Sequence, residues 1–279
     1  VRLMVLLCFL AGSLVYQSRW HEPGVYASPT PKRVQTKPTK SVVMEYRKVG
    51  GVPVQVVTVD MNNPYVRVSV ATSERIGRAE SVWNLLARSR PTAAITGTYF
   101  GSNTKIPVGD IVIEGERVHF GGVGTALCIT YDNRVRFVRP PLNRQVSWSD
   151  YYTVLGAGPR LLVNGKVSLY PRGEGFRDRR VYARTARTAV GVTKHNKLLM
   201  VASRHPMSLR QLAWVMKGLG AKEAIALDGG SSTCLYYRGE LKIPPRRPLT
   251  NLLVVYEDAQ QYEARISRLK PQHRFAKRY

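Results

Sequence analysis

Short runs of β-branched and apolar residues, set off by turn-forming residues, recur along this sequence. Val54–Val59 and Tyr65–Val70 flank Asn62-Asn63-Pro64 and read as two strands. In the second, Val66, Val68 and Val70 alternate with Arg67 and Ser69, which predicts one wet face. Hairpin-like pairs follow: Asp110–Ile113 with Arg117–Phe120, Thr125–Tyr131 with Val135–Val138, Arg160–Val163 with Lys166–Leu169, and Ala189–Thr193 with Lys197–Ala202. The third pair turns on Asn164-Gly165, the strongest short-range hairpin signal in the chain, because those residue types adopt the left-handed backbone such a turn needs.

Two stretches switch to helical spacing. Val82, Leu85 and Leu86 share one face of Glu80–Ser89, and Pro91 stops that helix. Ser208 and Gln211 form a capping box ahead of an apolar stripe of Leu209, Leu212, Ala213, Met216 and Leu219, with Gly220 placed to end it. Thr92–Thr96, Ala224–Leu227, Thr233–Tyr237 and Asn251–Tyr256 read as further strands. The fold class expected is α+β or mixed α/β: a single strand-rich domain with two main helices packed on sheet and no regular βαβ repeat.

Composition narrows the function classes. The chain has 279 residues, 44% hydrophobic and 22% charged, ordinary proportions for a globular protein with a real core. Its charge is not ordinary: 43 Lys and Arg against 18 acids give +25, which predicts attraction to polyanions such as nucleic acid, anionic lipid or a phosphate-bearing envelope polymer. Arg2 precedes the uncharged apolar run Leu3–Val15, and Arg19 closes it, a length suited to a signal peptide or short membrane anchor. Export disfavours a nucleic-acid partner, and no zinc-ligand spacing, RNP-type motif or recognition-helix pattern restores one.

The organisation expected is a signal peptide or N-terminal membrane anchor over 1–20 and a Pro- and Lys-rich tether over 21–40. The folded domain then spans 41–259, and a basic, peripheral tail spans 260–279. The protein would be exported, periplasmic or extracellular, and would contact the membrane through 1–20 if that leader stays uncleaved. With Cys8 in the leader, Cys128 and Cys234 remain in the body. An oxidising compartment permits a disulfide between them, but apolar neighbours favour two buried free thiols.

The candidate chemistry centres on Glu223–Leu235, E-A-I-A-L-D-G-G-S-S-T-C-L. A buried-strand run ends on Asp228, and Gly229, Gly230, Ser231 and Ser232 follow at once. Gly-Gly permits a sharp turn, and successive N–H groups with hydroxyls beside them suit an anion. A tight hairpin turn in which Asp228 merely bonds backbone amides is the alternative. Further polar residues stand at strand ends or Gly-marked turns in Gly97–Phe100, Gly109-Asp110, Arg187-Thr188 and Arg247–Asn251. They supply the carboxylates, guanidinium groups and hydroxyls that hold a phosphate and a sugar, although Arg187 also sits amid Arg179, Arg180 and Arg184, as a solvated basic face would.

As an ordered set these segments resemble the phosphodiester glycosidase family over residues 92–256. The resemblance is carried by Ile95-Thr96-Gly97-Thr98-Tyr99-Phe100, Pro107-Val108-Gly109-Asp110, Gly158-Pro159-Arg160-Leu161-Leu162 with Asn164-Gly165, and Arg187-Thr188-Ala189-Val190-Gly191. It continues through Met207-Ser208-Leu209, Leu227-Asp228-Gly229-Gly230-Ser231-Ser232 and Arg247-Pro248-Leu249-Thr250-Asn251. Where the family usually has Asn before the first Gly, Thr96 stands here, a shorter group with one hydroxyl in place of an amide.

The resemblance implies an exported hydrolase that cleaves the glycosidic bond of a sugar-1-phosphodiester, of the N-acetylglucosamine-1-phosphate kind or within a cell-envelope polysaccharide. Asp228, Asp110 and Arg187 would be catalytic. Gly229, Gly230, Ser231, Ser232, Thr188, Thr96, Gly97, Tyr99, Arg247 and Asn251 would bind substrate or phosphate. No cofactor is required, and a divalent cation beside Asp228 is compatible with the residues although no ligand spacing demands one. A non-catalytic envelope module that binds anionic polysaccharide is the alternative.

Overall fold

The computed structural model describes residues 40–272. The leader of 1–20, most of the tether and the last seven residues lie outside the described residues, and so does the export or anchoring reading of 1–20. The chain opens with strands β1 (Val42–Val49), β2 (Val52–Asp60) and β3 (Arg67–Thr72), then helix α1 (Val82–Ser89) and β4 (Ala93–Thr96). Short strands follow: β5 (Ile111–Ile113), β6 (Glu116–His119), β7 (Ala126–Thr130), β8 (Val135–Val138), β9 (Tyr151–Gly156), β10 (Arg160–Val163) and β11 (Lys166–Val167). The remainder is α2 (Arg179–Tyr182), β12 (Thr185–Thr193), β13 (Lys197–Met207), α3 (Leu209–Gly218) and β14 (Ala221–Leu227), then β15 (Leu235–Tyr237), β16 (Glu240–Ile243), β17 (Asn251–Tyr256) and α4 (Ala259–Glu263).

These strands form three antiparallel sheets, ordered β1-β2-β13-β12-β14-β10-β11, β16-β15-β4-β17-β3 and β6-β5-β9-β7-β8. The mixed α/β expectation therefore holds only in part. The domain is strand-rich but mostly β, and among the described residues only α1 and α3 exceed five residues.

Side-chain alternation explains how the large sheet is covered on both faces. Along β2, Val54 and Val56 enter one core with Leu209, Leu212 and Met216 of α3. Val57 and Val59 point the other way, into the main core shared with Ile95 of β4, Leu253 of β17 and Leu155 of β9. Being buried on both faces, β14 is apolar from Ala224 to Leu227 without interruption. The α3 capping box forms as expected, with Ser208 Oγ accepting from Gln211 N and Gln211 Oε1 accepting from Ser208 N. Cys128 and Cys234 are free and buried.

Two expectations are corrected. The described part of the segment after Gln260, up to residue 272, is no peripheral tail: Tyr262 and Leu269 are buried in the main core, and the Leu269 carbonyl accepts from Thr72 N at 2.9 Å. Asp110, expected as a second catalytic carboxylate, is a strut of the third sheet. Its Oδ1 accepts from Gly121 N and Gly122 N, both at 3.0 Å, and its Oδ2 accepts from Trp148 Nε1 at 2.7 Å.

Asp110→Ala strands those three donors and is expected to cost about 3 kcal/mol. A thermal melt should show the loss as a drop in Tm of roughly 5–10 °C, while activity per folded molecule stays near wild type. A stable Asp110→Ala protein without activity would reinstate Asp110 in the chemistry.

Candidate active site

Asp228 is the first residue beyond β14, and the main chain around it fixes where its carboxylate points. Its N–H donates to Gly97 O at 3.1 Å, which joins the large sheet to the end of β4 in the second. Its carbonyl accepts from Thr188 Oγ1 at 2.6 Å, so β12 holds it from the other side. The side chain is 8% exposed and faces a cleft. Arg247 Nη2 donates to Oδ2 at 2.8 Å, Arg247 Nε donates to Ser232 Oγ, and the guanidinium lies 4.3 Å from the centroid of the Phe100 ring. Burial pushes the Asp228 carboxyl above the usual carboxylate range, and Arg247, Ser232 and the Gly229 N–H oppose that rise without cancelling it. The result is a carboxyl that releases its proton reluctantly yet has a cation beside it when it does.

The glycines and Asn251 do structural work behind this acid. A Cβ on Gly97 would stand 1.8 Å from Asn251 Oδ1, so only glycine lets β4 and β17 close here. That Oδ1 accepts from Thr98 N at 2.9 Å while Nδ2 donates to Thr250 Oγ1 at 2.8 Å. The Asn251 amide is thus a brace, and Thr96 is buried opposite Leu252 in the sheet. Gly230, at φ 59°, starts the one-turn 3-10 helix Gly230–Ser232. Arg246 N donates to Ser231 O at 2.7 Å, which ties the loop bearing Arg247 to this turn.

Arg187 is 1% exposed, and most of its guanidinium serves the cleft wall. Nε donates to Met207 O at 3.2 Å, and Nη2 donates to Val181 O at 2.9 Å and to Ala183 O. Only the Nη1 pair is left over. The Tyr99 hydroxyl lies beside this guanidinium and feels its charge but makes no hydrogen bond of good geometry. Burial pushes the Tyr99 phenol up and the Arg187 guanidinium down.

The cleft encloses about 330 Å³. Of the residues expected from sequence, Tyr99, Arg187, Asp228, Gly229, Gly230, Ser231 and Arg247 line it. Gly97, Thr188, Ser232 and Asn251 stand behind that lining, Thr96 lies in the sheet, and Asp110 is elsewhere. Sequence reasoning missed Phe100, Asp178, Arg180 and Arg184 as lining groups. Arg180 pairs with Asp178, and Arg184 donates to Gln211 Oε1 at 2.6 Å and to Pro206 O at 3.1 Å. Their signal was the arginine cluster itself, which read equally well as a solvated face. Four guanidinium groups against two carboxylates leave the cleft positive. Among the described residues no three His, Cys, Asp or Glu side chains gather as a metal site would, and no helix is long and apolar enough to cross a membrane.

Comparison with known proteins sets this geometry in context. Residues 89–256 match the model of the phosphodiester glycosidase family. No match was found among curated proteins. A hypothetical protein from Synechocystis superposes with a TM-score of 0.68 at 18% identity, over 78% of this chain and 62% of that one. The catalytic domain of zebrafish N-acetylglucosamine-1-phosphodiester alpha-N-acetylglucosaminidase, auto-inhibited by its pro-peptide, superposes at 0.62 with 19% identity, over 79% of this chain and 85% of that one. A Burkholderia pseudomallei K96243 protein described as exported superposes at 0.53 with 15% identity, over 73% and 74% respectively. At these identities the three structures share the fold. The family match extends over more than half of the 279 residues and contains both Asp228 and Arg247. The chain belongs to the phosphodiester glycosidase family.

Proposed function

We propose that this chain hydrolyses the bond between the anomeric carbon of a sugar and the phosphate of a phosphodiester. The substrate would be of the N-acetylglucosamine-1-phosphate kind, or a sugar-phosphate unit of an envelope polysaccharide, met outside the cytoplasm. One observation carries the reading: a buried carboxyl with a raised pKa, Asp228, at the base of a cleft whose other charged groups are mainly arginines. The zebrafish relative acts, by its name, on such a diester.

The roles follow from the chemistry. A phosphate leaves readily, so the enzyme needs little general acid; it must stabilise the departing charge and the oxocarbenium-like sugar. Arg247 and the cleft arginines serve the first need, since fixed cations in a site with little water lose nothing to reorganisation. Asp228 serves the second. As water attacks C1, the C1–O bond to phosphorus breaks, the phosphomonoester leaves with the bonding electrons, and Asp228 takes the proton of the water. The raised basicity suits that role.

Asp228→Asn preserves shape and hydrogen-bonding size, so the fold should persist while turnover of sugar-1-phosphodiesters falls by about 10³-fold or more. Assay of the full chain on a panel of such diesters checks this; a wild-type rate in Asp228→Asn would remove Asp228 from the mechanism. Binding of the panel by the unaltered chain without turnover would support the non-catalytic polysaccharide-binding reading instead.

The pH profile gives an independent check. Ionised Asp228 is the active form, and burial favours the neutral one, so the acidic limb of kcat/KM should lie above the ordinary carboxylate value of about 4. Arg247 favours the anion; Arg247→Met should therefore move that limb to still higher pH. A limb that stays put or moves down would show that the pair does not govern the reaction.

A further inference from the structure

We infer that the protein carries a second ligand site, a basic groove at the far end of β14 from Asp228, which takes a linear polymer of polyhydroxylated units joined by phosphodiesters. The groove does not rest on the reaction proposed above; where that reaction holds, it keeps a polymeric substrate on the enzyme between cleavages. No residue lines both the groove and the Asp228 cleft. Glu223 on β14 lines the groove and Asp228 the cleft, separated by about 17 Å at the rise of a strand.

The groove, of about 580 Å³, opens where β8, an edge strand of the third sheet, passes two turns of the large sheet. Asn196 in the β12–β13 turn locks that junction. Its Nδ2 donates to Asn133 O at 3.1 Å, and its Oδ1 accepts from Val135 N at 3.2 Å. The charged lining is Arg134, Arg136, Arg160, Lys194, Lys222 and Glu223. The single acid is spent within the wall, since Glu223 pairs with Arg160 and its Oε1 accepts from Asn164 N at 2.7 Å. Arg134 has Asp132 at 3.8 Å. Among the described residues Arg136, Lys194 and Lys222 form no ion pair, and all three are exposed. They come from separate elements: β8, the β12–β13 turn and the start of β14. Lys222 lies over the Asn164-Gly165 turn, where a Cβ on Gly165 would stand 3.6 Å from its Nζ. Like charges gathered round one concavity repel each other and focus their field into it, a cost that a bound anion recovers.

The chemistry of the groove selects its occupant. Three unpaired cations on three elements match repeated charges along one chain better than they match a single phosphate. A nucleic-acid strand would need open aromatic faces on which its bases stack. The one ring here, Phe137, packs against the main core and has the Arg160 guanidinium 5.3 Å from its centroid. A bilayer is flat and meets protruding groups, so its headgroups would stay off the floor of a concavity. Asn164 and Thr193 add polar groups to the lining, which suit the hydroxyls of a sugar or polyol unit. The occupant is thus a phosphodiester-linked polymer of such units.

Titration of the full chain with a synthetic glycerol-phosphate polymer tests the assignment. That polymer has no anomeric carbon, so the reaction proposed above cannot consume it, and the result stands whether or not the chain is a hydrolase. Arg136→Ala, Lys194→Ala and Lys222→Ala combined should weaken binding about tenfold or more. The slope of log affinity against log salt should flatten by about 2, as the loss of three phosphate contacts to a flexible chain requires. Lys48→Ala, Arg75→Ala and Arg78→Ala combined remove the same charge outside the groove and should leave affinity within about twofold of wild type. All six side chains are exposed, so both variants keep the fold. Equal losses in the two variants, no loss in the first, or no binding by the unaltered chain overturns the site. The same titrations with phosphatidylglycerol vesicles and with an oligothymidylate of equal charge test the occupant. A larger loss in the first variant on either of these than on the polymer overturns it.

Discussion

Asp228 sheds most of its hydration where β14 ends, and Arg247 replaces part of it with a hydrogen bond of 2.8 Å. Taking a carboxylate out of water costs several kcal/mol, and a single partner seldom returns all of it. The balance here is shifted toward the neutral acid relative to a carboxyl in water, since burial outweighs the arginine, the Ser232 hydroxyl and the Gly229 N–H together. Such a group is poised rather than satisfied. Asp110 makes the contrast plain, because three hydrogen bonds from protein groups meet its two oxygens and Arg117 Nε lies 4.0 Å from Oδ2. Two buried aspartates in one chain thus differ in what surrounds them.

The poised state depends on two sheets meeting at one point. The Asp228 N–H bonds the Gly97 carbonyl across the junction, and Gly97 must lack a side chain because the Asn251 carboxamide fills the space. Thr188 fixes the Asp228 carbonyl from β12, and Arg187 pins the 181–183 segment that forms the opposite wall. Several of the polar residues that carry the family resemblance therefore hold the frame and do not line the cleft. The inner wall is rigid backbone bonded to buried side chains, whereas Arg180 and Asp178 at the mouth are exposed.

Much of this was legible in the sequence, for identifiable reasons. The capping box at Ser208, the Asn164-Gly165 turn and the apolar run into Asp228 are local signals, and local signals survive folding. Strand β1 was not legible: Val-Val-Met-Glu-Tyr-Arg-Lys-Val carries charges along a sheet edge, and its pairing with β2 gives it its form. Strand β16, with Glu240 and Lys242 in four residues, depends on β15 in the same way. The error over Asp110 has a similar origin. Its partner Trp148 lies 38 positions away, and nothing near Asp110 announces it. Conversely Arg180 and Arg184 reach the cleft only because the 181–183 segment is held by Arg187, a contact no spacing rule encodes.

The proposed reaction breaks the bond at the sugar carbon beside Asp228. Hydrolysis of a sugar-1-phosphodiester in ¹⁸O-labelled water, followed by mass analysis of the phosphomonoester, tests it most directly. Attack at C1 predicts a phosphomonoester free of label, with the heavy oxygen delivered to the sugar. Label in the phosphate would mean attack at phosphorus, and Asp228 would then be the base of a different reaction.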